Sequence, residues 1–231
     1  MIRAVFFDLY QTLVRYEPPR EELQAKALAD FGISVTPEKM RWPLVAADEF
    51  IYGELARVPL GQRDEKGKMA LWAQYQRVLL KEAMIEARDN LVLGLLGKMR
   101  EVKMGLVLFA DVEPVLTDLR NWGMTLGLIS NIDRDISATL NELGLPGLLD
   151  IMITSLEVGA TKPGPQIFQA ALQKARVSPG EAIYVGDQYQ VDVLGANGAG
   201  MKGILLDRGN FFPNITDVPR IQGLGQVLEH L

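Results

Sequence analysis

Ala4-Val5-Phe6-Phe7 runs straight into Asp8, and the next apolar run of that design comes only after residue 105. Four apolar residues closed by a polar one read as a strand buried on both faces of a parallel sheet. A strand buried on both faces needs neighbours, so its partners must lie beyond the intervening residues. Asp8 then sits at the strand's carboxyl end, where open α/β sheets form their ligand crevice. Tyr10 and Thr12 follow on the same turn.

From residue 106 the pattern alternates. Met124 to Ser130, Asp150 to Thr154, Ala182 to Gly186 and Gly203 to Leu206 are short apolar runs. Helical periods separate them, over 113–122, 134–143, 164–175 and 190–200. Helices alternating with buried strands imply βαβ units with right-handed crossovers. Residues 15–105 carry no convincing strand, and helices are expected over 19–31, 37–57, 64–87 and 90–103. Pro37 suits a first helical turn behind Thr36 as N-cap, and Pro59-Leu60-Gly61 marks a break between helices. Pro114, behind Asp111, reads as the first residue of another helix. The expected fold class is α/β. Residues 1–14 and 106–231 form a doubly wound parallel sheet domain, and residues 15–105 form an inserted all-helical cap.

Composition narrows the chemistry. Acidic residues outnumber basic ones 29 to 24 across 231 residues, for a net charge of -5. That balance gives no electrostatic reason to expect nucleic acid. No apolar run approaches the ~20 residues needed to span a bilayer. The N-terminus lacks the sections of a signal peptide. A soluble cytoplasmic protein is expected, a monomer or homodimer acting on a small molecule. The chain has no Cys, and its only His is His230, next to the last residue. Thiolate, Ser-His-Asp and His-rich metal chemistry are therefore excluded. A catalyst here must be built from carboxylates, hydroxyls, Lys and Arg.

Four strand ends carry such groups: Asp8 with Thr12, Ser130 with Asn131, Lys162 before Pro163, and Asp187 with Asp192. Each alone has a bland reading. Thr12 can bond its own turn, Ser130-Asn131 can cap a helix, Lys162 can be solvated, and Gly186-Asp187 can be a simple turn. In this order they resemble the motifs of the haloacid dehalogenase-like hydrolase superfamily, whose members mostly act as phosphatases. Asp8 to Thr12 matches Asp-x-x-x-Thr, and Gly186-Asp187 to Asp192 matches Gly-Asp-x-x-x-x-Asp. The resemblance covers the whole chain. It implies Asp8 as nucleophile and Thr12 and Ser130 as donors to the transferring group. It also implies Lys162 as a fixed charge that orients Asp8. Asp187 and Asp192, with Asp8, would hold Mg²⁺.

The resemblance is incomplete on the first turn. Phosphatases of the superfamily usually place Asp where this chain has Tyr10, and a phenol with a pKa near ~10 is a poor base at neutral pH. Asp-x-Tyr-x-Thr looks more like the 2-haloacid dehalogenases, which need no metal. They resemble this chain less at Gly186-Asp187, and Gln11 stands where they usually carry Gly. Arg41 is a candidate for holding a haloacid carboxylate. A third reading keeps the metal, with the Tyr10 backbone carbonyl as a ligand. The leading expectation is a Mg²⁺-dependent phosphatase acting on a small phosphate ester. A metal-independent 2-haloacid dehalogenase and a catalytically weakened binding member are the alternatives. The aromatic residues Trp42, Phe50, Tyr52, Trp72 and Tyr75 are expected in the cap core.

Overall fold

The computed structural model describes residues 1–231. It divides into two compact units, Met1–Arg15 with Leu106–Leu231, and Tyr16–Gly105. In the first unit, strands run as β1 (Ala4–Phe7), β4 (Thr125–Ser130), β5 (Ile151–Thr154), β6 (Ala182–Gly186), β7 (Lys202–Leu206) and β8 (Arg220–Ile221). They make one six-stranded sheet in the order β5-β4-β1-β6-β7-β8. Every recorded pairing in it is parallel. Helices α5 (Val112–Asn121), α6 (Ser137–Glu142), α7 (Leu145–Leu148), α8 (Ser155–Val158), α9 (Pro165–Ala175) and α10 (Leu194–Gly198) connect the strands. The fold is a doubly wound α/β sheet.

β1 is central, between β4 and β6, and all four of its residues are fully buried. Side chains alternate across a strand. Val5 and Phe7 face a core built with Val112, Leu116 and Leu119 of α5. Ala4 and Phe6 face the opposite core with Ile167, Phe168 and Ala171 of α9. Each buried phenylalanine contributes on the order of 2–3 kcal/mol. Gly127 on β4 makes room for Phe6, because a Cβ there would lie 2.5 Å from the Phe6 ring. The two apolar faces fix the strand's register, so Asp8 is delivered to the sheet's carboxyl edge.

The second unit contains α1 (Arg20–Ala29), α2 (Pro37–Arg57), α3 (Glu65–Glu82) and α4 (Asp89–Glu101). Its own core includes Leu28, Met40, Ala47, Leu79, Leu80 and Leu95. Half-buried among these helices, Arg20 donates to the buried Asp48, to Oδ1 at 2.9 Å and to Oδ2 at 2.5 Å. Tyr75 donates to Asp48 Oδ1 at 3.1 Å. The Gln24 amide reaches the Gln76 amide oxygen at 3.2 Å. No helix of the chain is long and apolar enough to cross a membrane.

Several expected details change. Residues 15–105 do contain strand: β2 (Val14–Glu17) pairs with β3 (Gly105–Leu108) in a two-stranded sheet. The two segments lie about ninety positions apart in the chain; β2, Val14-Arg15-Tyr16-Glu17, is mixed in polarity, and β3, Gly105-Leu106-Val107-Leu108, is apolar but too short to show alternation. Pro114 is the third residue of α5 rather than its first. That position is tolerated because the first-turn N–H groups have no helical acceptor. The helix expected over 190–200 is instead a π-helical turn, Tyr189–Val193, running into the short α10.

Candidate active site

The turn after β1 is wound by its own backbone. Leu13 and Val14 N–H both donate to the Leu9 carbonyl at 2.9 Å, and Gln11 N–H donates to Val14 O at 2.7 Å. Gln11 takes φ +58°. This left-handed conformation costs a side chain roughly 1–2 kcal/mol relative to glycine. Position 11 is thus where a Gly would fit without strain. Thr12 is fully buried, and its Oγ1 has no hydrogen-bond partner. An unsatisfied buried hydroxyl costs about 1–3 kcal/mol, which marks a group built to meet something brought from outside.

Lys162 is the hub of the site. It is 3% exposed. Its Nζ donates to Asp8 Oδ1 at 2.6 Å, to Asp192 Oδ1 at 2.6 Å and to the Tyr184 phenol at 2.8 Å. Those three bonds engage all three ammonium protons. Ser130 Oγ donates to Asp8 Oδ1 at 3.0 Å. Asn131 clamps the lysine's backbone from both sides. Its Nδ2 donates to Lys162 O at 2.9 Å, and Lys162 N donates to its Oδ1 at 2.7 Å. Asn131 therefore does not cap the following helix, which starts at Ser137.

Electrostatics follow from two buried carboxylates sharing one cation. Burial pushes the Asp8 carboxyl above its ordinary range, with Lys162 opposing and Asp192 adding to the rise. For Lys162, burial acts to lower the value, but Asp192 and Asp8 outweigh it and hold the ammonium above its ordinary range. The cluster is anionic overall, a setting that favours a further cation.

Asp192 lies on the π-helical turn, a distortion frequent at functional sites. Its Oδ2 accepts from Gln188 N at 3.0 Å, and its Oδ1 from Lys162. Tyr184 Oη lies 3.2 Å from the same Oδ1 and 3.0 Å from the Ile129 carbonyl. Gly186 is required here, because a Cβ would lie 2.3 Å from Asp192 Oδ2. Asp187, half-buried, accepts at Oδ2 from the Gln188 side chain at 2.9 Å.

One oxygen from each of Asp8, Asp187 and Asp192 lies within 4.8 Å of the others. Hard oxygen donors in that number suit Mg²⁺, which binds through one or two carboxylates and keeps several waters. Both Asp192 oxygens also accept from protein donors, and Asp8 and Asp187 each carry such a bond as well.

Tyr10 is half-buried, with burial raising its phenol above the ordinary range and a hydrogen-bonded Arg134 opposing that rise. Arg41 is paired with Glu21 at 3.6 Å and its side chain is 58% exposed. The arginine paired with a buried carboxylate in the helical unit is the half-buried Arg20. Tyr75 is buried there, whereas Trp42 and Trp72 are more than one-third exposed. Sequence reasoning missed Tyr184, which looks like an ordinary core aromatic in Ala182 to Gly186. It also missed Arg134, which follows Ser130-Asn131 closely enough to have been flagged.

Comparison with known proteins places this geometry in a family. The family model described as haloacid dehalogenase-like hydrolase matches residues 2–200. The glyceraldehyde 3-phosphate phosphatase of Methanothermobacter thermautotrophicus is 30% identical, with both chains covered completely. Among solved structures, a HAD phosphatase from Thermococcus onnurineus is 26% identical with a TM-score of 0.60, covering 99% of this chain and 97% of that one. A 2-haloacid dehalogenase from Pseudomonas syringae pv. Tomato is 27% identical with a TM-score of 0.56 over the same shares. With its Asp8 turn, lysine hub and acidic cluster, the chain belongs to the haloacid dehalogenase-like hydrolases.

Proposed function

We propose that the chain is a Mg²⁺-dependent phosphatase that hydrolyses a small phosphorylated metabolite through Asp8. The observation that carries this is the acidic cluster: Asp187 stands within 4.8 Å of an Asp8 already held by Lys162. A metal-free dehalogenase would have to bring a haloacid carboxylate beside the added negative charge of Asp187. A phosphatase uses the same charge to hold a cation. Asp8, Asp187 and the Tyr10 carbonyl would hold Mg²⁺, which when bound offsets the repulsion between nucleophile and phosphate.

The chain's own residues do the rest. Lys162, with all three protons engaged, orients Asp8 rather than reaching the substrate. Asp192 and Tyr184 hold Lys162, and Asn131 fixes its backbone. Asp8 attacks phosphorus; an O–P bond forms to its carboxylate as the ester O–P bond breaks. The leaving alkoxide takes a proton, which the Tyr10 phenol can donate. Thr12 Oγ1, whose proton no protein group takes, donates to a phosphoryl oxygen. Water then cleaves the acyl-phosphate to release phosphate and restore Asp8. The Tyr10 phenolate regains a proton from solvent as the alcohol leaves, and the neutral phenol cannot activate the attacking water well, so the second half-reaction is slow. The helical unit, inserted directly after the nucleophile's turn, is the proposed cap and source of substrate selectivity.

A panel of phosphate esters and 2-chloropropionate, each assayed with Mg²⁺ and with EDTA, tests the reading. Phosphate release that needs Mg²⁺ is expected. Halide release in EDTA would establish the dehalogenase instead, and silence across the panel would favour a binding role.

A further inference from the structure

Among the groups the reaction above leaves unused, Arg208 reaches the backbone of the nucleophile's turn at Thr12 itself. We propose that Arg208 is a positioning residue: it ties down the backbone at Thr12 and so aims the Thr12 hydroxyl at the reacting phosphoryl group. The guanidinium lies just past β7, 196 positions from Thr12 in the chain, and its Nη2 donates to the Thr12 carbonyl at 3.0 Å. The same fork grips Asp111 with two bonds, Nη1 to Oδ2 at 2.8 Å and Nη2 to Oδ1 at 2.9 Å. Its centre stacks 3.9 Å from the Phe109 ring centroid.

Both sides of this tether are anchored. Asp111 Oδ2 also accepts from Leu224 N at 2.9 Å. Phe109 N–H donates to Leu13 O at 3.0 Å, a second bond to the same turn. On the arginine's side, Asp207 is 3% exposed and accepts from Phe211 N, Phe212 N and Arg220 Nη1 at 2.7–2.9 Å. That closes the loop from which Arg208 projects. Further along the loop, Asp217 accepts from Tyr189 on the π-helical turn at 2.5 Å. One loop thus holds the turns that carry Thr12 and Asp192.

Only a planar fork makes these contacts together. Three N–H groups in fixed directions reach two carboxylate oxygens and one carbonyl while the plane stacks on a ring. A lysine has the charge but not the fork. Thr12 needs such restraint because its turn includes the left-handed Gln11 and its Oγ1 has no protein partner to fix it.

The activity part of the test rests on the phosphatase reading; the exchange part does not. Arg208→Met and Arg208→Lys are made alone and together with Thr12→Val in the full chain. Arg208→Met is expected to lower kcat by about tenfold or more with a smaller change in KM, and Arg208→Lys to fall between it and the wild type. In the Thr12→Val background the further loss should shrink to less than about threefold, because the tether has no hydroxyl left to aim. Amide exchange at Leu13 and Val14 should quicken by about tenfold in Arg208→Lys, the variant that keeps the charge. Equal fold losses in both backgrounds would overturn the proposal, as would unchanged exchange at Leu13 and Val14. A wild-type protein silent on phosphate esters would remove the phosphatase reading, and exchange alone would then decide whether Arg208 restrains the turn.

Discussion

Lys162→Met removes the only cation between two buried carboxylates, and the structure sets the size of the effect. Oxygens of Asp8 and Asp192 lie within 4.8 Å of each other. At an effective dielectric of about 20, two unit charges at that separation repel by about 3.5 kcal/mol, or some 2.5 pKa units. Breaking a buried pair by deleting one partner costs about 3–5 kcal/mol in comparable cases. The variant should therefore be about 3–5 kcal/mol less stable than the wild type at pH 7.5. The loss should also depend on pH in a definite direction. Burial already raises Asp8, and without the ammonium its carboxyl rises further. Between the unfolded value near ~3.9 and that raised value, the folded variant binds more protons than the unfolded chain, so its stability grows as pH falls. About half of the deficit should be regained at pH 5. Urea unfolding of both proteins at the two pH values, in EDTA, measures this. A deficit below about 1 kcal/mol, or one equal at pH 5 and pH 7.5, would refute the shared-cation account.

Other substitutions probe the remaining parts of the site. Asp8→Asn should abolish turnover yet raise the stability of the metal-free protein by about 1 kcal/mol, read as Tm in EDTA, because one carboxylate then keeps the ammonium to itself. Asp187→Asn should leave the fold intact and weaken Mg²⁺ binding by at least about tenfold, or about 1.4 kcal/mol, measured by titration calorimetry. Tyr10→Asp supplies a base for the attacking water, and steady-state turnover should rise by about tenfold or more. No rise would place the slow step elsewhere.

Strands buried on both faces were legible because they need no partner to announce them: β1, β4 and β6 read as unbroken apolar runs. β2, β3 and β8 did not, since β2 and β8 carry charged residues and β3, though apolar, is part-exposed and defined by the distant segment it pairs with. At the site, Asp8 and Ser130 could be found by position at the ends of those strands, whereas Lys162, beyond α8, and Asp192, on the π-helical turn, stood out only through the motif order. Their division of labour did not. Asp192 reads as a metal ligand alone, and its bonds to Lys162, Tyr184 and Gln188 add a structural part that the motif does not announce. Asn131 reads as a helix cap until it is seen holding the lysine's backbone. Asp111 reads only as a residue ahead of a helix, and its grip on Arg208 joins two segments that no local pattern connects.

The central claim is that Asp8 carries the phosphoryl group during turnover. Its most direct test is to quench the enzyme with borohydride during hydrolysis of a phosphate ester in Mg²⁺ and map the product by peptide mass spectrometry. The Asp8 acyl-phosphate should be reduced to homoserine at position 8, and the yield should drop in Tyr10→Asp as the second half-reaction quickens. Phosphate release with an unmodified Asp8 peptide, and with activity retained in Asp8→Asn, would contradict the account.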